Sequence, residues 1–231
     1  AISGFIIILV ILILALIAPF IVPYDPNFID INSILLPPSL AHLMGTDGLG
    51  RDVFSRMLYG AQISLLVGFV AVGISTGIGI LLGSVAGFYR GWVDSFIMRI
   101  VDIMLSIPSF FLILAVIAFL TPSIWNIMIV IGLTSWMGVT RLVRAEFLSL
   151  RGREFVMASE AMGSSDLKII LLHLLPNSMT PLIVSSVLGI ASAVLVESGL
   201  SFLGLGVQAP TASWGNILTD GKEYIQFAWW L

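Results

Sequence analysis

Apolar residues fall along this chain in long runs, and polar residues are gathered into a few stretches between them. From Phe5 to Ile17 every position except Ala15 is Ile, Leu, Val or Phe, which is worth about −4 to −7 kcal/mol for insertion into a bilayer. The run predicts a first membrane span over residues 1–22. A secretory leader is the rival reading, but its apolar core covers roughly 7–15 residues and ends at a small-residue cleavage site. Here the run extends to Val22 and carries Pro19 and Pro23. Further spans are predicted over Ala61 to Phe88, Ile100 to Leu120 (interrupted by Pro108), Ile124 to Thr140 and Leu182 to Val196, with Phe227 to Leu231 as the opening of a sixth. The polar, Pro-rich segment 23–60 lies between the first two, and within it Asp52 is placed to cap a short helix from Val53 to about Tyr59.

One stretch between the spans cannot enter lipid. Arg141, Arg144, Glu146, Arg151, Arg153, Glu154, Glu160, Asp166 and Lys168 fall close together. At roughly 2.5–3.5 kcal/mol each in a bilayer core, they would cost about 20 kcal/mol or more together. Residues 141–177 are therefore expected in water. Orientation follows Lys and Arg. With 141–177 in the cytoplasm, that side holds Arg90, Arg99, Arg141, Arg144, Arg151, Arg153 and Lys168, against Arg51, Arg56 and Lys222 opposite. The N-terminus is then cytoplasmic, and 23–60 and 197–226 face outward.

Composition agrees with a multi-span membrane protein. Of 231 residues 58% are hydrophobic and 10% charged, whereas a soluble domain carries about 25% charged residues. A net charge of −3 gives no reason to expect nucleic acid. There is no cysteine, which removes disulfides and thiolate chemistry. No Gly-x-x-x-x-Gly-Lys-[Ser/Thr] loop occurs, so ATP hydrolysis is not expected on this chain, and no Gly-x-Ser-x-Gly elbow occurs. His42 and His173 fall on opposite sides in this topology and read as structural. Asp102 and Glu197, the carboxylates of the spans, lie near span ends and read as interfacial rather than as an ion relay. GTDGLGRD (Gly45 to Asp52) lacks the alternating ligands of a calcium loop and reads as a tight turn feeding a helix. No bound metal or cofactor is expected.

Span two carries small residues at helical spacing: Gly73 and Gly77, then Gly79, Gly83 and Gly87. Apolar burial does not drive helices together in lipid, so bare backbone that permits close approach matters more. This face is expected to pack on another helix, the alternative being that glycine is merely common in membrane helices.

Within the charged stretch, 100° per residue puts Phe155, Ala158, Ser159 and Met162 on one face of a helix over 154–162. Gly163 suits the left-handed residue that ends it. Ser164 or Ser165 can cap a second helix, with Asp166 in its first turn, and Pro176 stands at the entry to the next span. A helix–Gly–helix unit of this kind suits a partner's groove and equally the lipid headgroups.

The spacing from Gly163 to Leu175-Pro176 resembles the cytoplasmic signature of binding-protein-dependent ABC importer permeases, Glu-Ala-Ala, three residues, Gly, nine residues, Ile-x-Leu-Pro. Here it falls on Met157, Ala158, Ser159, Gly163, His173, Leu175 and Pro176, with Met157, Ser159 and His173 departing from the pattern. GTDGLGRDVFSRMLYGAQISLLVG (Gly45 to Gly68) and SFLGLGVQAPTASWGNIL (Ser201 to Leu218) resemble the C-type permease subunits of the dipeptide/oligopeptide/nickel group. The resemblance implies an all-α, type I ABC importer transmembrane fold, with an N-terminal helix (1–22), an extracytoplasmic segment (23–60) and a permease core (61–231).

It also implies half of a translocation pore, in the plasma membrane of a prokaryote, for di- or oligopeptides, with nickel or another small solute as the alternative. The implied partners are a second homologous permease subunit, two cytoplasmic ATPase subunits carrying ATP and magnesium, and an extracytoplasmic substrate-binding protein. ATPase coupling would fall on Arg153, Glu154, Phe155, Met157, Ala158, Ser159, Glu160, Met162, Gly163, Ser164 and Asp166. An ion-coupled secondary transporter and a membrane assembly subunit using the same helix for docking are the readings from other classes.

Overall fold

The structure, a computed structural model, describes residues 2–231. Among the described residues it is helical, with one isolated antiparallel bridge, Thr46 to Asp52. The main helices are α1 (Ile2–Ile21), α2 (Val53–Tyr89), α3 (Gly91–Ser106), α4 (Ser109–Ile117), α5 (Ile124–Leu133), α6 (Trp136–Leu150), α7 (Glu154–Ala161), α8 (Asp166–Ile169), α9 (Leu175–Asn177), α10 (Met179–Phe202) and α11 (Trp214–Gly221).

Three segments among the described residues are long and apolar enough to cross a membrane: α2, the α5–α6 segment Ile124–Leu150, and α10. The first and third expected spans correspond to α1 and to the pair α3 and α4. The twenty residues of α1 give about 30 Å of rise, the thickness of a hydrocarbon core.

Several boundaries differ from the sequence expectation. The short helix capped by Asp52 and the second span are one continuous helix of 37 residues. At 1.5 Å per residue it is about 55 Å long, so part of it must project beyond the hydrocarbon layer. Asp52 does cap it: its carboxylate accepts from the Ser55 N–H at 2.8 Å and the Ser55 hydroxyl at 2.7 Å. The third span is not straight, because α3 and α4 meet at 81°. Pro108 disfavours helical geometry at the residue before it, and Ile107 is extended there. The fourth runs ten residues past Thr140, to Leu150, so Arg141, Arg144 and Glu146 extend that helix. Phe227–Leu231, read as the start of another span, form turns.

The chain forms two compact units. The first comprises Ala1–Gly68, Ile117–Ile127 and Ala193–Leu231. In it the loop before α2 is pinned by backbone bonds (Thr46 N–H to Leu36 O, Val53 N–H to Gly45 O). Buried Arg51 and Arg56 share Asp47 and Asp220, with Arg51 at 2.6 and 2.8 Å and Arg56 at 3.6 and 3.5 Å. Two guanidinium groups against two carboxylates is a balanced cluster, as burial of charge requires. The Asp47 and Asp52 carboxylates of the GTDGLGRD turn are thus taken up by protein donors. Glu197 is fully buried, and one of its oxygens accepts from the Ser201 and Ser213 hydroxyls at 2.7 and 3.0 Å. Ser213 in turn caps α11 in a reciprocal box with Asn216. Glu197 is therefore an interior tie between α10 and α11, not an interfacial carboxylate.

The second unit comprises Phe69–Val116 and Met128–Ser192. Its core is one cluster: Phe88 from α2, Val139, Val143 and Phe147 from α6, Val156 from α7, Ile169 from α8, Leu174 after it, and Leu182 from α10. Along α2 the lower three glycines are in contact. A Cβ at Gly79 would meet Val139 Cβ at 2.5 Å, one at Gly83 would meet Val143 Cβ at 2.6 Å, and one at Gly87 would meet Phe147 Cβ at 2.6 Å. Both partners advance four residues per step, so bare turns of α2 receive successive side chains of α6 in register. Gly73 and Gly77 have nothing within 4 Å of a Cβ position. The expected packing stripe is therefore occupied in this chain only along 79–87.

Candidate coupling site

The stretch 151–177 folds as helix, left-handed turn, helix. Gly163 has φ +75°. Its N–H donates to Glu160 O, and the Ser164 N–H donates to Ser159 O, the paired bonds of a Schellman end. No neighbour approaches a Cβ at Gly163, so glycine is needed there for its backbone conformation and not for space. Ser165 occupies the position before α8, but its side chain makes no capping bond. After α8 the backbone widens into a π-helical turn over Ile170–Leu174, directly before Pro176. A proline ring cannot sit under the carbonyl four residues back, and a widened turn accommodates it.

The inner face of α7 is Val156 and Ser159, three residues apart and both buried. Ser159, expected on the docking face with Phe155 and Met162, instead points inward, and its hydroxyl has no partner in the protein. The reason is the phase of the helix. Val156 is the residue of α7 in the buried cluster, and Ser159 lies one turn further on the same face. Arg153, Glu154, Phe155, Met157, Ala158, Glu160, Met162, Gly163 and Asp166 are exposed, and Ser164 is half-buried. Phe155, Met157 and Met162 present 42, 50 and 79% of their surface. Leu167, at 65%, adds an apolar residue across the Gly163 turn that helical phasing of 154–162 alone could not include.

One arrangement holds this unit from behind, and a second braces the helices that precede it. Arg151 stacks over the Phe88 ring, 4.5 Å from its centroid, and reaches Glu160 at 3.8 Å. Arg144 of α6 makes a two-pronged ion pair with Asp94 of α3, its second prong 2.6 Å long, and Arg141 pairs with Asp102 of the same helix. Neither pair is evident from hydropathy. The available signal was two acids eight apart on α3 and two arginines three apart on α6. His173 lies beside Phe155, ring centroids 6.5 Å apart. His42 takes a structural place in the first unit, its Nδ1 2.9 Å from Asp52 and its ring 4.8 Å from Tyr24.

The arrangement has no nucleophile–base pair and no cluster of ligands. It offers an apolar patch with charged edges on a short helix whose back is fixed to long helices. Comparison with known proteins identifies the family of the chain. Residues 79–230 match the family model described as the binding-protein-dependent transport system inner membrane component.

The chain belongs to that family.

Residues 1–38 also match the N-terminal transmembrane domain of oligopeptide transport permease C, so kinship extends into the first span, to which the sequence motifs did not reach. A probable D,D-dipeptide transport system permease protein of Escherichia coli K12 is 44% identical over 229 residues, 99% of this chain and 77% of that protein. A dipeptide transport system permease protein of Alkalihalophilus pseudofirmus is 44% identical over 230 residues, 100% of this chain and 76% of that one. A di/tripeptide transport system permease protein of Pseudomonas aeruginosa is 43% identical, over 100 and 78%. Among solved structures, a chain of the MetNI methionine ABC transporter in an inward facing conformation superimposes with TM-score 0.61 at 20% identity, covering 74% of this permease and 80% of that chain. The type I ABC importer transmembrane fold is therefore shared, and the permease is a multi-pass membrane component of a binding-protein-dependent importer.

Proposed function

We propose that this permease forms half of the path by which an ATP-driven importer takes up di- or oligopeptides, and that the α7–Gly163–α8 unit couples it to an ATPase. Relatives at 43–44% identity carry dipeptide and di/tripeptide names, which supports the substrate class. The second half of the path is a homologous permease subunit. Two ATPase subunits on the cytoplasmic side bind ATP and magnesium, and an extracytoplasmic binding protein delivers the peptide. The N-terminus is cytoplasmic, residues 23–60 face outward, and 61–231 form the permease core.

The observation that carries the coupling assignment is the division of α7 into a buried face, Val156 and Ser159, and an exposed face, Phe155, Met157 and Met162. A helix that only lay on headgroups would not need its back locked into the core of the spans. Met157 stands where the family signature has Glu, so docking rests on apolar contact, with Glu154 and the exposed Arg153 at the edges. Charge reversal at Arg153 or Glu160, and Gly163→Pro, should each uncouple ATP hydrolysis from uptake in reconstituted vesicles. Full transport by all three variants would sink the assignment.

A further inference from the structure

The first unit contains a cavity of about 530 Å³, bounded by the residues that follow α1, by Tyr59 and Gln62 on α2, and by Thr211 and Ala212. That volume lies within the roughly 300–1,000 Å³ of small-ligand sites. Its chemistry is one-sided. Asp25 contributes a carboxylate, while Lys, Arg and His are absent from the lining among the described residues; the Arg56 guanidinium, which donates to the Pro26 carbonyl at 3.3 Å, is itself balanced by Asp47 and Asp220. One Asp25 oxygen accepts from the Asn27 N–H at 2.8 Å, which fixes the side chain and leaves the second oxygen to accept. The Gln62 amide nitrogen donates to Ala15 O at 2.6 Å, so the Gln62 oxygen is left as an acceptor.

The C-terminal end of α1 lies just before the first lining residue, Val22. Its final turn leaves carbonyls without intrahelical donors, and Pro23 has no N–H to offer the Pro19 carbonyl four residues back. A helix C-terminus carries about half a negative charge. Two phenol rings, Tyr24 and Tyr59, complete the walls. Tyr24 is held by its stack on His42, itself bonded to Asp52. Acceptors, a carboxylate, a helix C-terminus and aromatic faces all favour a cation, and an ammonium group has three N–H donors to match several separate acceptors.

We propose that this cavity binds a primary ammonium group, and that its source is the N-terminal ammonium of a peptide in transit. The choice of source rests on the peptide-import reading above, whereas the ammonium chemistry does not. Asp25 is the charge partner, Gln62 supplies a further acceptor, and Tyr24 and Tyr59 flank the cation.

The test uses the full-length permease assembled with its partner subunits in nanodiscs, without nucleotide. Tritiated alanyl-alanine binding is measured in competition with butylammonium, N-acetyl-alanyl-alanine and butanol. Butylammonium should compete, and the two compounds that lack an ammonium group should not. Asp25→Asn, which keeps the acceptor for the Asn27 N–H, should weaken dialanine and butylammonium together by about ten- to hundredfold, and Asp25→Glu should recover part of the loss. Equal competition by N-acetyl-alanyl-alanine, or unchanged binding in Asp25→Asn, would overturn the site. So would butylammonium binding abolished by adding the binding protein, since the cavity would then be a socket for a lysine of that partner. ATP-driven uptake in the same preparation separates the two readings. Uptake with no ammonium-sensitive binding defeats the cavity and leaves the importer. Butylammonium binding with no peptide uptake defeats the peptide as its source.

Discussion

Gly77→Ala and Gly87→Ala introduce the same methyl group on the same helix, and they are expected to change stability in opposite directions. At Gly87 the new Cβ would stand 2.6 Å from Phe147 Cβ, 3.0 Å from the Arg144 carbonyl oxygen and 3.3 Å from Arg144 Cα. None of these atoms is the far end of a flexible side chain. Relief therefore requires α2 and α6 to separate, and overpacking of this kind costs about 1–3 kcal/mol. At Gly77 the Cβ meets nothing within 4 Å, and removing a mid-helix glycine stabilises by at most about 0.5–1 kcal/mol. The two variants should thus differ by roughly 1–4 kcal/mol. The measurement is thermal or detergent-titrated unfolding of the isolated full-length permease in one lipid–detergent mixture, with Gly79→Ala and Gly83→Ala grouping with Gly87→Ala. If Gly77→Ala and Gly87→Ala shift the midpoint by equal amounts in one direction, close approach does not organise this helix pair.

The Arg144–Asp94 pair is partly exposed, so its contribution is discounted for solvent, to about 1 kcal/mol. A double-mutant cycle with Arg144→Met and Asp94→Asn should return that coupling energy, and Arg144→Lys should lose part of it because one ammonium cannot span both carboxylate oxygens. A coupling near zero would remove the pair as a brace between α3 and α6. Asp52→Ala deletes the cap of a 37-residue helix and strips His42 of its partner, an expected loss of about 1–2 kcal/mol. Asp52→Asn retains an acceptor and should lose clearly less. Equal losses in unfolding titrations would show that the charge, not the cap, matters there.

How much of this could be read from the chain depends on the range of the interaction. The Gly163 turn was legible because a left-handed residue between two helical patterns is a local requirement, and the Schellman bonds form within six residues. Asp52 as a cap was legible for the same reason. The length of α2 was not, because the short helix expected up to Tyr59 and the span expected from Ala61 leave Gly60 between them. Yet a Cβ there would stand only 3.2 to 3.3 Å from the Ser213 backbone and Ile217, so the glycine serves a close tertiary contact inside an unbroken helix. Glu197 was misplaced because hydropathy locates a residue along a span and says nothing of two serines, four and sixteen residues on, that satisfy one of its oxygens. The inward turn of Ser159 follows from which side of α7 meets the core, a fact about partners that helical phase alone leaves open.

The placement of Val156 ties these pieces to mechanism. It is fully buried in the cluster that also holds Phe88, Val143, Phe147 and Leu182, so α7 shares one core with three long helices. Phe147 belongs to the same cluster as Val156 and also receives Gly87 on α2. Close-packed interiors transmit displacement because they cannot be compressed locally. A pull on the exposed face of α7 must then either move α2, α6 and α10 together or open the cluster around Val156. Coupling by this route requires the first outcome to cost less than the second. Val156→Ala, which leaves every exposed residue of α7 in place, should therefore weaken transport per ATP hydrolysed while ATPase association is retained. Loss of association in that variant would mean that the buried face only shapes α7 for docking, and unchanged transport per ATP would show that force reaches the spans by another path.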